Sequence, residues 1–233
     1  MNDKYYAVIT GDIIKSSKIK ENKYNDLILA LNSSFDTIKK IWPTLTYESF
    51  KTFRGDSFQG ILLKPEKALH VAIVIRACLR TFFPVKRRRN AIDARMAIGI
   101  GTIYSLPRDQ ISEGDGEAFR RSGPLLDKIE ENKRPKRYNH LFIKTPWNEV
   151  DNELEVECML LDALINQWST EQAEAILDLM RGITQIKAAD KYGISQSAFS
   201  QRFIDAGGYA IRKLYYRYET IILRAMKNQN IYK

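Results

Sequence analysis

Two Gly-Asp pairs, Gly11-Asp12 and Gly55-Asp56, are the residues with the clearest chemical potential, and 44 residues separate their carboxylates. Two carboxylates held at one place repel unless a cation or a shared proton relieves them. A hard divalent ion carrying phosphate oxygens is the usual relief. If the fold brings Asp12 and Asp56 together, they mark a site for Mg²⁺ or Mn²⁺ and a phosphate ligand. Taken singly, each is also ordinary turn chemistry, an aspartate capping the next helix or its own backbone. Directly after Asp12 come Ile13-Ile14-Lys15-Ser16-Ser17, and the short hydroxyl and cationic residues Lys15, Ser16 and Ser17 suit either phosphate or a helix cap. Arg54 lies in the same turn as Gly55, and Arg120 and Arg121 open a later helix. These arginines suit a triphosphate, or salt bridges to Glu113, Asp115 or Glu117.

The elements that must position these residues follow from hydrophobic spacing. Tyr5 to Thr10 is a continuous apolar run, a strand covered on more than one side, and ends on Gly11-Asp12. Tyr24 to Ile41 carries apolar residues at helical spacing and stops at Pro43. Thr46 to Phe53 and Ser57 to Leu63 read as a hairpin turning at Arg54-Gly55-Asp56. Pro65 to Phe83 is helical again, and Arg95 to Ile103 alternates small and aliphatic residues as a strand. The order βαββαβ predicts an α+β, ferredoxin-like sheet in which the first strand lies beside the third and antiparallel to it. That arrangement places Asp12 near Asp56. Glu117 to Asn132 forms a third helix, broken at Pro124, after the polar loop Ile111 to Gly116. A strand over Leu141 to Lys144 follows, and the first domain closes at residue 148.

Composition bounds the rest. With 233 residues and 44% hydrophobic content the chain holds a proper core, and its net charge of +9 favours an anionic partner. Two basic runs, Lys86 to Arg89 and Lys133 to Arg137, are solvated loops or touch nucleic-acid backbone. Cys78 and Cys158 sit in helical patterns without Cys-x-x-Cys spacing, which argues against a disulfide or zinc framework. No signal peptide or membrane-length apolar stretch is evident, so the expectation is a cytoplasmic protein that does not engage membranes.

Residues 149–181 form an acidic helical connector, and from Asp151 to Arg181 eight acids face one base. Residues 182–233 reverse this, with nine bases against three acids. Within them, Thr184 to Phe203 has the logic of a helix-turn-helix. Ala189 is small where two helices cross, Gly193 makes the turn, Ile194 and Phe199 pack the second helix on the first, and Ser195 caps it. Gln196, Ser197, Ser200 and Gln201 then face outward, where a recognition helix meets base edges in the major groove, and Arg202 can hold phosphate. A plain helical hairpin used for packing or dimerisation is the competing reading. Ser169 or Thr170 caps the helix after Trp168, and Tyr209 to Met226 is a last helix with a core or dimer face.

Taken with these motifs, the chain resembles the SatD family of bacterial proteins over nearly its whole length. The shared pieces are Ile9 to Ser17, Phe53 to Gln59, Gly116 to Gly123 and the closing helix-turn-helix. The first domain is also similar to class III nucleotidyl cyclases and GGDEF-type palms, whose two metal-binding aspartates match Asp12 and Asp56, with the Ile13 carbonyl as a backbone ligand. The cyclase transition-state Asn and Arg have no clear counterpart, since Phe119-Arg120-Arg121-Ser122 stands in their place. The expectation is a homodimeric regulator that binds double-stranded DNA, with a nucleotide or other phosphate ligand in the sheet domain. An active cyclase or nucleotidyltransferase is the alternative, and a nonenzymatic dimeric assembly module the third.

Overall fold

The computed structural model describes residues 4–14, 24–53, 55–83, 91–106, 114–131 and 140–228. The architecture is mixed α and β, with a five-stranded sheet and, among the described residues, eight α-helices. Strands β1 (Tyr6–Ile14), β2 (Lys51–Phe53), β3 (Ser57–Leu62), β4 (Asp93–Gly101) and β5 (Leu141–Lys144) stand in the order β2-β3-β1-β4-β5. As the element order leads one to expect, β1 lies beside β3 and antiparallel to it. It is also antiparallel to β4, and only β5 runs parallel to its neighbour.

Two layers cover the sheet. Ala7, Ile9, Ile13, Phe58, Leu62, Met96, Ile98 and Ile100 face α1 (Tyr24–Ile41) and α2 (Ala68–Phe82), which follows a 3-10 turn at Pro65–Lys67. The alternate residues Val8, Ile61 and Ala97 face α3 (Glu117–Glu131), as the two-residue period of a strand requires. Helix α3 approaches β4 so closely that a Cβ on Gly99 would lie 2.1 Å from the Ala118 carbonyl. Glycine is needed there for contact. Helix α2 is buried from Ala68 to Arg80, because a second helical layer packs on its far side. That layer comprises α4 (Asn148–Ile165), α5 (Thr170–Met180), α6 (Gln185–Tyr192), α7 (Gln196–Asp205) and α8 (Gly208–Lys227). Its buried side chains and those of α1, α2 and the sheet form one continuous core.

The structure departs from the sequence reading at three places. Strand β1 does not end at Thr10 but runs through Gly11 and Asp12 to Ile14. Gly11 serves packing here, since a Cβ on it would meet the Phe58 ring at 2.5 Å and the Arg95 carbonyl at 2.7 Å. Strand β2 is only three residues long, with Thr46 reduced to an isolated bridge to Leu62. Helix α3 passes through Pro124 without a break, and Pro124 and Arg120 are exposed. Water can satisfy the Arg120 carbonyl that Pro124 leaves without a donor.

Candidate functional site

The topology brings the two Gly-Asp segments together, one residue out of step. Asp12 stands opposite Ser57 on β3, and the Ile13 N-H donates to the Asp56 carbonyl at 3.2 Å. On its other side Asp12 stands opposite Arg95 of β4, and the two side chains pair bidentately. Arg95 Nε donates to Oδ1 at 3.0 Å and Nη2 to Oδ2 at 2.5 Å. Both oxygens of Asp12 therefore already have a cationic partner. Among the described residues no cluster of three or more His, Cys, Asp or Glu is placed to hold a metal ion. The donor set expected for Mg²⁺ or Mn²⁺, Asp12, Asp56 and the Ile13 carbonyl, thus fits a divalent ion poorly, since the ion would have to displace Arg95.

Asp12 ends a polar row on the α3 side of the sheet. The Gln59 amide nitrogen donates to Thr10 Oγ1 at 3.0 Å, Thr10 donates to Ser122 Oγ at 3.2 Å, and Ser122 donates to the Phe119 carbonyl. Thr10, Asp12 and Gln59 are each 8% exposed and Ser122 is fully buried. The chain leaves Gln59 Oε1 buried with no hydrogen-bond partner among the described residues. A buried acceptor left unpaired costs about 1–3 kcal/mol.

The arginines expected to hold phosphate are paired within α3 and its entrance. Arg120 reaches Asp115 with Nε at 3.2 Å and Nη2 at 3.0 Å. Arg121 donates to the Ile100 carbonyl at 2.9 Å and to Glu117 at 3.2 Å. Both arginines thus make the salt bridges that the sequence also allows. Lys15, Ser16, Ser17 and Arg54, like both basic runs, lie outside the described residues.

Sequence reading missed a second polar cluster, buried between the sheet and α4. Arg76 grips Asp93 with Nε at 2.8 Å and Nη2 at 2.9 Å, and its Nη1 contacts Asp162. Arg80 joins through Asp93 at 2.6 Å. Burial alone would raise the Asp93 pKa, but Arg76 and Arg80 hold its carboxyl well below the usual range. Asp162 Oδ2 also accepts from the His140 and Leu141 N-H groups, and Asp151 accepts from Thr145 N-H at 2.7 Å. Two carboxylates of α4 thus cap the outer edge of β5. Both cysteines are free and buried, and burial raises Cys78 to about 11 and Cys158 well above its ordinary value.

The last helices place their polar groups differently. Thr184 caps α6, Gly193 closes it in the left-handed conformation at φ 64°, and Ser195 caps α7 by accepting from Ala198 N-H. Ala189, Phe199 and Phe203 are buried and Ile194 packs against them, as the spacing requires. Ser195, Gln196, Ser197 and Gln201 are exposed, while Ser200 and Arg202 are half-buried. Their contacts are short-range and surface-bound. Gln196 donates to Gln185 at 2.7 Å, Gln201 to Asp205 at 2.7 Å, and Ser195 shares a hydrogen bond with Ser197. The Arg202 guanidinium lies over the Tyr192 ring at 5.8 Å. The group rests on α5, whose Ser169 forms a capping box with Gln172 and whose buried Asp178 takes Lys191.

Helix α8 ties this group back to α2. The Tyr218 hydroxyl donates to the Pro65 carbonyl at 2.9 Å, and Glu219 meets Lys67 and, at 3.0 Å, His70 Nε2. Burial, and then Lys67, lowers the His70 pKa to about 3, so its ring is neutral and Nε2-H donates to Glu219. Trp168, just before α5, donates its indole N-H to the Ala206 carbonyl at the end of α7 at 2.8 Å.

No helix among the described residues is long and apolar enough to cross a membrane. No curated protein and no solved structure gives a significant match to the chain. A model of the SatD family matches residues 5–224, nearly the whole length, and the chain therefore belongs to the SatD family.

Proposed function

We propose that the chain is a DNA-binding regulator in which α6 and α7 act as a helix-turn-helix and α7 is the recognition helix. The observation that carries this reading is the N-terminal face of α7, where Gln196, Ser197 and Gln201 stand exposed on a helix whose opposite side, Phe199 and Phe203, is locked into the core. Glutamine pairs with adenine edges and serine with several bases, and both release their present surface partners at little cost. Arg202 and Lys187 flank that face and supply charge for phosphate. In duplex-binding assays, Gln201→Ala and Gln196→Ala each weaken binding to a preferred site by about 1–3 kcal/mol per lost base contact while leaving nonspecific affinity in place. Equal loss on all sequences would count against base reading.

The strand order β2-β3-β1-β4 supports a ferredoxin-like, palm-related first domain. The unpaired Gln59 Oε1 beside Thr10, Ser122 and the Asp12-Arg95 pair favours a ligand that donates a hydrogen bond there, as the amino group of a nucleotide base would. The proposal is binding that needs no metal. Calorimetric titration with nucleoside triphosphates, with and without Mg²⁺, tests it, and binding unchanged in Gln59→Leu would remove Gln59 from the site. Incubation with triphosphates and Mn²⁺ addresses turnover, which would require Asp12 to release Arg95.

A further inference from the structure

Every described arginine before α7 holds a carboxylate. Arg76 and Arg80 take Asp93, Arg95 takes Asp12, Arg120 and Arg121 take Asp115 and Glu117, and Arg181 takes Asp178. Helix α8 differs. Arg212 and Arg224, and with them Lys213 and Lys227, have no carboxylate partner among the described residues, although all four are exposed. We infer that the outer face of α8 binds phosphates, gripping the backbone of the duplex whose bases α7 reads. This rests on the DNA reading proposed above.

The face is one-sided and cationic. Tyr209, Lys213, Tyr216, Thr220, Arg224 and Lys227 recur at three and four residues along α8, and all are exposed. The single acid of the helix, Glu219, turns away to Lys67 and His70, and on the flank toward α4 only Arg217 is taken, by Glu153. From Lys213 to Arg224 the helix rises about 16 Å, several times the rise of about 3.4 Å between successive phosphates of one strand, so each cation meets a different phosphate. The opposite side of α8, with Ile211, Tyr218 and Ile222, is locked in the core. The apolar side that an interfacial helix would sink into lipid is therefore already occupied. Only Ala206 and Gly207 separate α7 from α8. Phe203 of α7 meets Tyr209 edge-on at 5.2 Å and lies 2.2 Å from the place of a Cβ on Gly208, which fixes the start of α8 to α7.

Titration of the full chain with a mixed-sequence duplex, and with a site selected from a random pool, at several salt concentrations tests this. In Lys213→Gln/Arg224→Gln/Lys227→Gln the slope of log affinity against log salt should fall by about 2–3, near 0.9 per lost phosphate contact, with base preference and melting curve unchanged. Lys39→Gln/Lys40→Gln/Lys64→Gln removes the same charge from exposed lysines elsewhere and should keep the wild-type slope. An unchanged slope in the α8 variant, or an equal fall in both, overturns the inference and leaves base reading by α7 standing. A wild type that holds no duplex overturns both, and binding to phosphatidylserine vesicles through the same residues would then make the face a membrane surface.

Discussion

On the sheet, Asp12 gives both carboxylate oxygens to Arg95, and in the seam behind it Arg76 grips Asp93 and Asp162 with all three nitrogens of its guanidinium. On α7, Gln196 and Gln201 hold only a neighbouring glutamine and an exposed aspartate. The polar groups of the two regions therefore serve opposite ends. In the seam they are desolvated and must keep their partners, because a buried charge left alone costs far more than its pair contributes. At the surface of α7 a polar partner can be exchanged with small loss. Carboxylates and arginines thus tie the buried seam together, while Gln196 and Gln201 of α7 stay exposed with surface partners only.

Removing one member of the seam should break this contrast most severely. Arg76→Ala leaves Asp93 and Asp162 buried without their main cation and should cost about 3–5 kcal/mol in denaturant unfolding. A loss under about 1 kcal/mol would mean that water or Arg80 replaces it readily.

The α2-α8 junction gives a pH-dependent effect of nearly that size. His70 is neutral in the native state and titrates near 3, whereas in the unfolded chain it titrates near 6.5. Between those values the unfolded state binds the proton and the native state does not, so stability is full above pH 6.5 and falls as pH drops. The slope is about 1.4 kcal/mol per pH unit at most. Unfolding curves at several pH values, compared with His70→Gln, should show the slope in the wild type and its reduction in the variant.

Asp12→Ala sharpens the contrast on the sheet. If pairing to Arg95 is its role, the variant should lose about 1–3 kcal/mol of stability. The melting temperature of the wild type should also be indifferent to Mg²⁺. A rise in melting temperature with Mg²⁺ that vanishes in Asp12→Ala would instead restore the metal site.

Much of the fold can be read locally in the sequence. Helix α1, strand β5, the Ser195 cap and the Gly193 turn all rest on periodicity or on one residue's conformational preference, which need no knowledge of the partner element. The antiparallel pairing of β1 with β3 follows from element order. The use of the charged residues does not. Nothing near Asp12 in the chain announces Arg95, 83 positions later, as its partner, and Gly11 reads as a turn unless Phe58 and Arg95 are known to press on it. Arg76 and Arg80 lie in a helix whose apolar spacing predicts one exposed side, and only the second helical layer explains their burial.

The proposed DNA reading by α7 is the claim on which the functional account turns. Enrichment of duplexes from a random-sequence pool on the full chain at low salt, followed by titration of the selected site at rising salt, examines it directly. The account predicts a preferred sequence whose selection weakens in Gln196→Ala and Gln201→Ala, with overall affinity falling steeply as salt rises. Failure to retain any duplex at low salt would contradict it.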